Sequence, residues 1–374
     1  MKKTLIALLA LSTLSACQPD AKPIDKPAAE KEKIVNIYNW LDYIGETTLA
    51  DFTNKTGIKT HYDIYDSNEI LSSKILSGAS NYDVIYPSSD VAANFIKSKA
   101  LLPLDPKLLN NTSHLNKNLL AKLAAIDPNN QFLFPYMMGT VALGINKDKV
   151  MTALGNLPFP EDEWALVFDP KYTEKIKTCG LAFADTGYNL YLSYNIYKGN
   201  AVADFSAETL KAANVALAQI RPHIKLFSEH PTDAFAAGDI CVGIAPSGSL
   251  YNALDRANAA GKPQNLVYFI PKKGAQIWID VMAIPASAPH PEAAHAWIDF
   301  LGQPEVIAPI SDKVNYANAN DGATPLVKAS LKDNPLIYFD EATFSRLVLR
   351  PVVSIEEQQR ITSAFNQFKA NKIN

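Results

Sequence analysis

The position with the most chemistry in this chain is a carboxylate set into an apolar strand. In Ile277-Trp278-Ile279-Asp280-Val281-Met282, Asp280 interrupts residues that otherwise favour burial, and a buried carboxylate is costly unless a cation or hydrogen-bond donors meet it. Two readings are open: a strand-end Asp satisfied by a lysine or by backbone N–H groups, or a charge kept for a cationic ligand. Trp278 lies two residues before Asp280, and in Trp40-Leu41-Asp42-Tyr43 a second tryptophan lies two residues before a second carboxylate. Tryptophan more often serves the core. Aromatic faces beside carboxylates, however, form a seat for an organic cation, because cation–π attraction and charge pairing act together.

Catalytic arrangements are missing from the sequence. His61, His114, His223, His230, His290 and His295 show no HExxH or similar ligand spacing, and there is neither a Walker loop nor a GxGxxG. Gly243-Ile244-Ala245-Pro246-Ser247-Gly248 lacks the GxSxG nucleophile elbow. The expectation is a binding protein, with no enzyme activity, no cofactor and no metal.

The elements around these residues alternate. Ile34-Val35-Asn36-Ile37-Tyr38 reads as a strand, followed by the Trp40 loop, a helix from Glu46 to Thr56 stopped by Gly57, and a strand from Lys59 to Tyr65. A helix from Ser67 to Leu76 and a short strand at Tyr82 to Tyr86 lead into Pro87-Ser88-Ser89-Asp90. A second such region spans Leu143 to Arg256, with strands near Gly180 to Phe183 and Ile240 to Ile244 and helices near Asn189 to Tyr197 and Ala207 to Ile220. Strands over Asn265 to Ile270 and Gln276 to Ile284 and a helix over Pro291 to Leu301 follow. This is α/β architecture with mostly parallel sheets, in which ligands bind at loops after the carboxyl ends of strands. The loops at Trp40 to Tyr43 and Ser88 to Asp90 are two of these. Asp90 has two uses open to it, a place at the pocket edge or a helix N-cap.

The N-terminus specifies a location. Lys2 and Lys3, the apolar run Leu5 to Leu11 and small residues up to Ala16 have the profile of a secretory signal. It ends in Leu14-Ser15-Ala16-Cys17, which resembles a bacterial lipobox, so residues 1–16 read as a signal peptide and Cys17 as the lipid-bearing new N-terminus. The 17–33 stretch, rich in Pro, Ala and alternating charges, reads as a flexible tether. The remaining chain of about 340 residues suits two domains. With Lys2 and Lys3 removed, 33 basic side chains face 38 acidic ones, a balance that gives no support to nucleic acid as a partner. Cys179 and Cys241 remain as an even pair in an oxidising compartment, which predicts a disulfide over two free thiols.

Ile37-Tyr38-Asn39-Trp40-Leu41-Asp42-Tyr43-Ile44, Asp66-Ser67-Asn68-Glu69, Asp83-Val84-Ile85-Tyr86-Pro87-Ser88 and Tyr316-Ala317-Asn318-Ala319-Asn320 together resemble the periplasmic polyamine-binding proteins of ABC importers, nearest the putrescine type, over about Ile34 to Leu336. The resemblance implies a type II two-lobed flytrap with a mostly parallel sheet in each lobe. Lobe 1 would take residues 34–140 and 262–306, and lobe 2 residues 141–261 and 307–374. The crossings would lie near Gly139 to Leu143 and Gly261 to Asn265, with a return near Pro304 to Pro309. It also implies a small cationic amine as ligand, an ABC-type permease as partner, a monomer in the periplasm, and a disulfide between Cys179 and Cys241; the alternative is a ligand-sensing or adaptor lipoprotein of the same fold with an altered, non-polyamine ligand. Because closure draws on contacts with both lobes, each should line the pocket.

Carried over position by position, the pocket includes Trp40, Asp42, Tyr43, Ser88, Trp278, Asp280 and Tyr316. Leu41, Asn189, Pro246 and Ser249 depart from the putrescine-type pattern, in which they are a small hydroxyl residue, a glutamate, a tryptophan and an aspartate. Asn189 and Ser249 stay in the expected ligand set with two carboxylates lost, which matters for a buried dication. Asp90, where the pattern has serine, is an expected compensation, and Asp185 is expected near the same cleft.

Overall fold

The computed structural model describes residues 33–78, 80–228 and 231–372. The signal peptide, Cys17 and the tether up to residue 32 lie outside the described residues. Within them, β1 (Ile34–Trp40), β2 (Lys59–Tyr65) and β3 (Val84–Ile85) form a parallel sheet in the order β2-β1-β3. The helix Thr48–Thr56 connects the first two strands and stops where Gly57 takes a left-handed φ of 72° and its N–H bonds the Thr53 carbonyl. Ser67 caps the next helix, Asn68–Leu76, by accepting from the Ile70 N–H.

Next in the chain come β4 (Leu101–Leu102), the long β5 (Phe134–Asn146), β6 (Leu181–Phe183), β7 (Ile224–Phe227), β8 (Val242–Pro246) and β9 (Leu266–Phe269). They are followed by β10 (Ala275–Met282), β11 (Ile284–Pro285), β12 (Ala317–Asn318) and β13 (Leu347–Leu349). A larger sheet runs β13-β10-β5-β8-β6-β7, with β9 and β12 also paired to β5. Every residue of β10 is buried, which explains its continuous apolar run and makes Asp280 an exception within it.

β10 joins the two sheets. It runs antiparallel to β5 from Gln276↔Val141 to Met282↔Phe134, with a register shift between Asp280 and Val281. Around that bulge it also meets the first sheet: the Val281 N–H donates to Pro87, and Ala283 and Ile85 exchange both backbone bonds. β11 then pairs with β4. The architecture is a two-lobed α/β body, with Asp280 at the seam. Residues 266–269 pair with Leu143 to Asn146 in the larger sheet, and the chain meets the first sheet at the bulge.

Several expected elements stand where the sequence put them. β2 and the helix Pro291–Leu301 have the expected bounds, and the helix expected at Asn189 to Tyr197 spans Gly187–Lys198. Cys179 and Cys241 are bonded, Cα to Cα 5.5 Å, just before β6 and β8, which pair in parallel at Leu181↔Val242. Two tryptophans are wholly structural. Trp164 and Trp297 are fully buried, and their indole N–H groups donate to the Gly274 carbonyl at 3.0 Å and the Tyr86 hydroxyl at 2.7 Å.

Candidate functional site

The bulge in β10 turns Asp280 toward the loop after β3. Its Oδ1 accepts from the Ser88 hydroxyl at 2.7 Å and its Oδ2 from the Tyr43 hydroxyl at 3.0 Å. Ser88 is fixed twice: its backbone bridges to Asp280, and it occupies the N-cap position of the helix Ser89–Lys97. Asn68, the first residue of its own helix, donates to the Ser88 hydroxyl at 3.2 Å. Of the two readings open for Asp280, the one with a lysine or backbone N–H groups does not describe it: the side-chain donors that meet it are two neutral hydroxyls. Burial pushes the Asp280 carboxyl up to about 7, against the opposing hydrogen bonds from Ser88 and Tyr43 and the field of Arg350. Burial and the Asp280 charge also hold the Tyr43 phenol well above its ordinary range, so it stays a donor.

Aromatic rings enclose this carboxylate. Tyr43 meets Tyr136 and Tyr316 edge to face at 5.4 and 6.0 Å, and Trp278 meets Tyr316 at 4.9 Å and 78°. Trp40, at the end of β1, donates its indole N–H to the Tyr86 carbonyl at 2.7 Å and leans on Tyr65 at 4.6 Å. Two glycines leave room for the walls: a side chain at Gly139 would overlap the Trp278 indole, and one at Gly248 would overlap the Tyr316 ring. Gly248 is the second residue of the helix Ser247–Ala259, where alanine would ordinarily favour helix formation by up to about 1 kcal/mol. Gly248→Ala is therefore expected to displace Tyr316 and weaken ligand binding about tenfold, ~1.4 kcal/mol, without loss of melting temperature. Calorimetry with the bound solute checks this, and unchanged affinity would show that the ring has slack.

The other expected site residues divide. Asn189 and Ser249 are buried; Ser249 follows Gly248 beside Tyr316, and the Asn189 carbonyl accepts from the Gln276 amide at 3.3 Å. Asp42 lies exposed on the turn after β1 with a left-handed φ of 54°, outside the hydrogen-bond set of Asp280. Asp185 does not reach the cleft: it pairs with Lys369, and both side chains are 40% exposed.

Asp90 is not an N-cap, because Ser88 holds that position. It is buried, and its partner is a residue that the sequence reading missed. The Arg350 Nε lies 3.7 Å from Asp90 Oδ2, with the Arg350 side chain 15% exposed. Its guanidinium also lies over the Tyr188 ring at 4.5 Å. Burial opposes the Arg350 charge, but Asp90 and Tyr188 outweigh it and raise its pKa. Arg350 directly follows β13, and its N–H bonds the Ile277 carbonyl across to β10 at 3.2 Å. In sequence an arginine between Leu349 and Pro351 has nothing to set it apart from a surface residue; the signal is the pairing of β13 with β10, which only the fold supplies.

Residues 47–338 match the family model of the bacterial extracellular solute-binding proteins. The chain is 38% identical over its full length to the putrescine-binding periplasmic protein SpuD of Pseudomonas aeruginosa, covering all of both chains. It is 37% identical over 346 residues to the putrescine-binding periplasmic protein PotF of Escherichia coli, covering 92% of this chain and 93% of that one. In fold it is similar to the spermidine/putrescine ABC transporter substrate-binding protein PotD of Streptococcus pneumoniae, with a TM-score of 0.76 at 24% identity over 91% of this chain and 99% of that one. A buried carboxylate in an aromatic enclosure at the seam of two sheets, and matches of this extent, lead to one assignment: the chain belongs to the bacterial extracellular solute-binding protein family.

Proposed function

We propose that this protein captures a small amine, a polyamine or a close relative, between its two lobes and delivers it to an ABC-type permease. The observation that carries the reading is Asp280, a buried carboxylate held only by hydroxyl donors and enclosed by Tyr43, Trp278 and Tyr316. Such a group is incomplete without a cation, and an ammonium seated there gains both charge pairing and ring contacts. The names of the related binding proteins support the same class of ligand. In this reading the lobes are 34–140 with the chain beyond the β10 bulge to 306, and 141 up to that bulge with 307–374. The protein acts as a monomer, and acyl chains on Cys17 hold it at the periplasmic face of a membrane beside the permease.

Calorimetry on a chain beginning at Ile34, against diamines, their single-charge analogues and an uncharged diol, tests the ligand class. Binding of amines and not of the diol is expected; a folded, ligand-stripped protein that binds no amine defeats the reading. Cys17→Ser tests the anchor separately, since it is expected to move the protein from the membrane fraction to the soluble periplasm.

A further inference from the structure

The enclosed part of the site is asymmetric in charge. Around Asp280 the neighbours are neutral hydroxyls from Ser88 and Tyr43. Two residues beyond Ser88 lies Asp90, and its charge is already matched by Arg350. Among the described residues, Asp280 is thus the buried carboxylate of this site without an ion-pair partner within 4 Å.

The same residues mark out a far end. Gln276, Trp278 and Asp280 alternate along β10 and so share one face of the strand. The amide of Gln276 donates to the Asn189 carbonyl and to the Ser193 hydroxyl at 3.2 Å, while its Oε1 is buried with no hydrogen-bond partner. Arg350 closes the circuit by lying over Tyr188, the neighbour of Asn189. The Asp90–Arg350 contact at 3.7 Å is a charge pair and not a hydrogen bond, and both Arg350 Nε and Asp90 Oδ1 are buried without hydrogen-bond partners. Buried polar groups are ordinarily satisfied, so the far end calls for a group that accepts from Arg350 Nε beside its guanidinium, and one that also donates would meet Gln276 Oε1 or Asp90 Oδ1. A second ammonium could donate to those oxygens but cannot accept from Arg350, and it adds a like charge beside Arg350 in a medium where repulsion is weakly screened; a carbonyl oxygen accepts, and an amide both accepts and donates.

We propose that the solute carries a single ammonium, seated at Asp280, and ends near Arg350 in a carbonyl group, either a carboxylate or an amide. The ligand class is thus an ω-amino acid or its amide, and the protein discriminates against the diamine of equal length. This rests on the small-amine reading above and narrows it by charge.

The test is calorimetry with 1,4-diaminobutane, 4-aminobutanoate and 4-aminobutanamide, on the wild type and on Arg350→Gln. In the wild type at least one of the two carbonyl probes is expected to bind ten times more tightly than the diamine, and the stronger of them identifies the end group. In Arg350→Gln, Asp90 is released as a second anion, so the diamine is expected to gain and the preference to fall by tenfold or more. Because that variant leaves Asp90 buried and alone, the double variant Arg350→Gln/Asp90→Asn, checked by thermal melting, is measured beside it; there the carbonyl preference is expected to vanish without the diamine gain. A diamine that binds the wild type as well as or better than both carbonyl probes overturns this inference and leaves the small-amine reading standing. A preference that survives both variants overturns the role of Arg350. A folded wild type that binds none of the three removes the small-amine reading and the inference together.

Discussion

Asp280→Asn is expected to weaken amine binding by about 1.5–3 kcal/mol, the range for a charge-assisted hydrogen bond, and to make the ligand-free protein more stable above neutral pH. The second effect follows from linkage. The folded-state pKa of Asp280 is raised, from 3.8 to about 7, so the folded protein holds this proton more tightly than the unfolded chain. The resulting stability is fully present below the ordinary carboxyl range and is lost as pH rises towards 7. Above that, the ionised carboxylate is a net penalty of roughly 4 kcal/mol, the free energy that separates the folded and unfolded affinities for this proton. Asparagine retains one acceptor and one donor for Ser88 and Tyr43 without the charge. The difference in melting temperature between variant and wild type should therefore widen in the variant's favour from pH 5 to pH 8. A constant difference would show that Asp280 titrates in its ordinary range.

Ligand binding runs the other way along the same axis. An ammonium binds the ionised carboxylate, so wild-type affinity should fall by up to tenfold per pH unit below about 7 and level off above it. Near pH 6 binding should release close to one proton, read from binding heats in buffers of different ionisation enthalpy. Of the charged groups that act on Asp280, Arg350 is held protonated through this range, while burial raises the Asp90 carboxyl against the opposing field of Arg350.

Replacing both Cys179 and Cys241 with alanine should cost roughly 4 kcal/mol, the loop-closure entropy for cysteines about 60 residues apart. The bond lies before β6 and β8, whereas the candidate site gathers beyond the other end of β8, at Gly248 and Ser249. Stability and binding should therefore separate: the denaturation midpoint drops while affinity under native conditions stays within about twofold. A drop below 1 kcal/mol would mean that the unfolded chain is already restrained in this region. A collapse of affinity would mean that the bond sets the register of β8 and, through it, the position of Tyr316.

The legibility of this molecule in its sequence follows the range of the interactions. β2 has its own alternation and the helix Thr48–Thr56 its own glycine stop, so both can be read locally. Asp280 and Trp278 could be singled out because a charge in an apolar run is anomalous on any fold. The three-residue β13 has no period to detect, and its partner in β10 lies about 70 residues upstream. Arg350 inherits that invisibility, and with it the pairing of Asp90, for which a local reading offered a pocket edge or a helix cap but no arginine. The thirteen-residue β5 was hidden for a different reason: it pairs with β8, β9, β10 and β12 along its length, and a strand buried on all sides carries no alternation.

The division of the four tryptophans has an optical consequence. Trp164 and Trp297 are locked in the core by their indole bonds and give a constant background emission. Trp40 and Trp278 lie instead against Tyr86 and Tyr316, and in the proposed reading both line the cleft, beside groups whose charge and solvation would change as cargo enters. Half of the indoles thus form an intrinsic gauge of occupancy, and Trp164 and Trp297 are its internal reference, so filling and emptying could be followed in real time without attaching a dye.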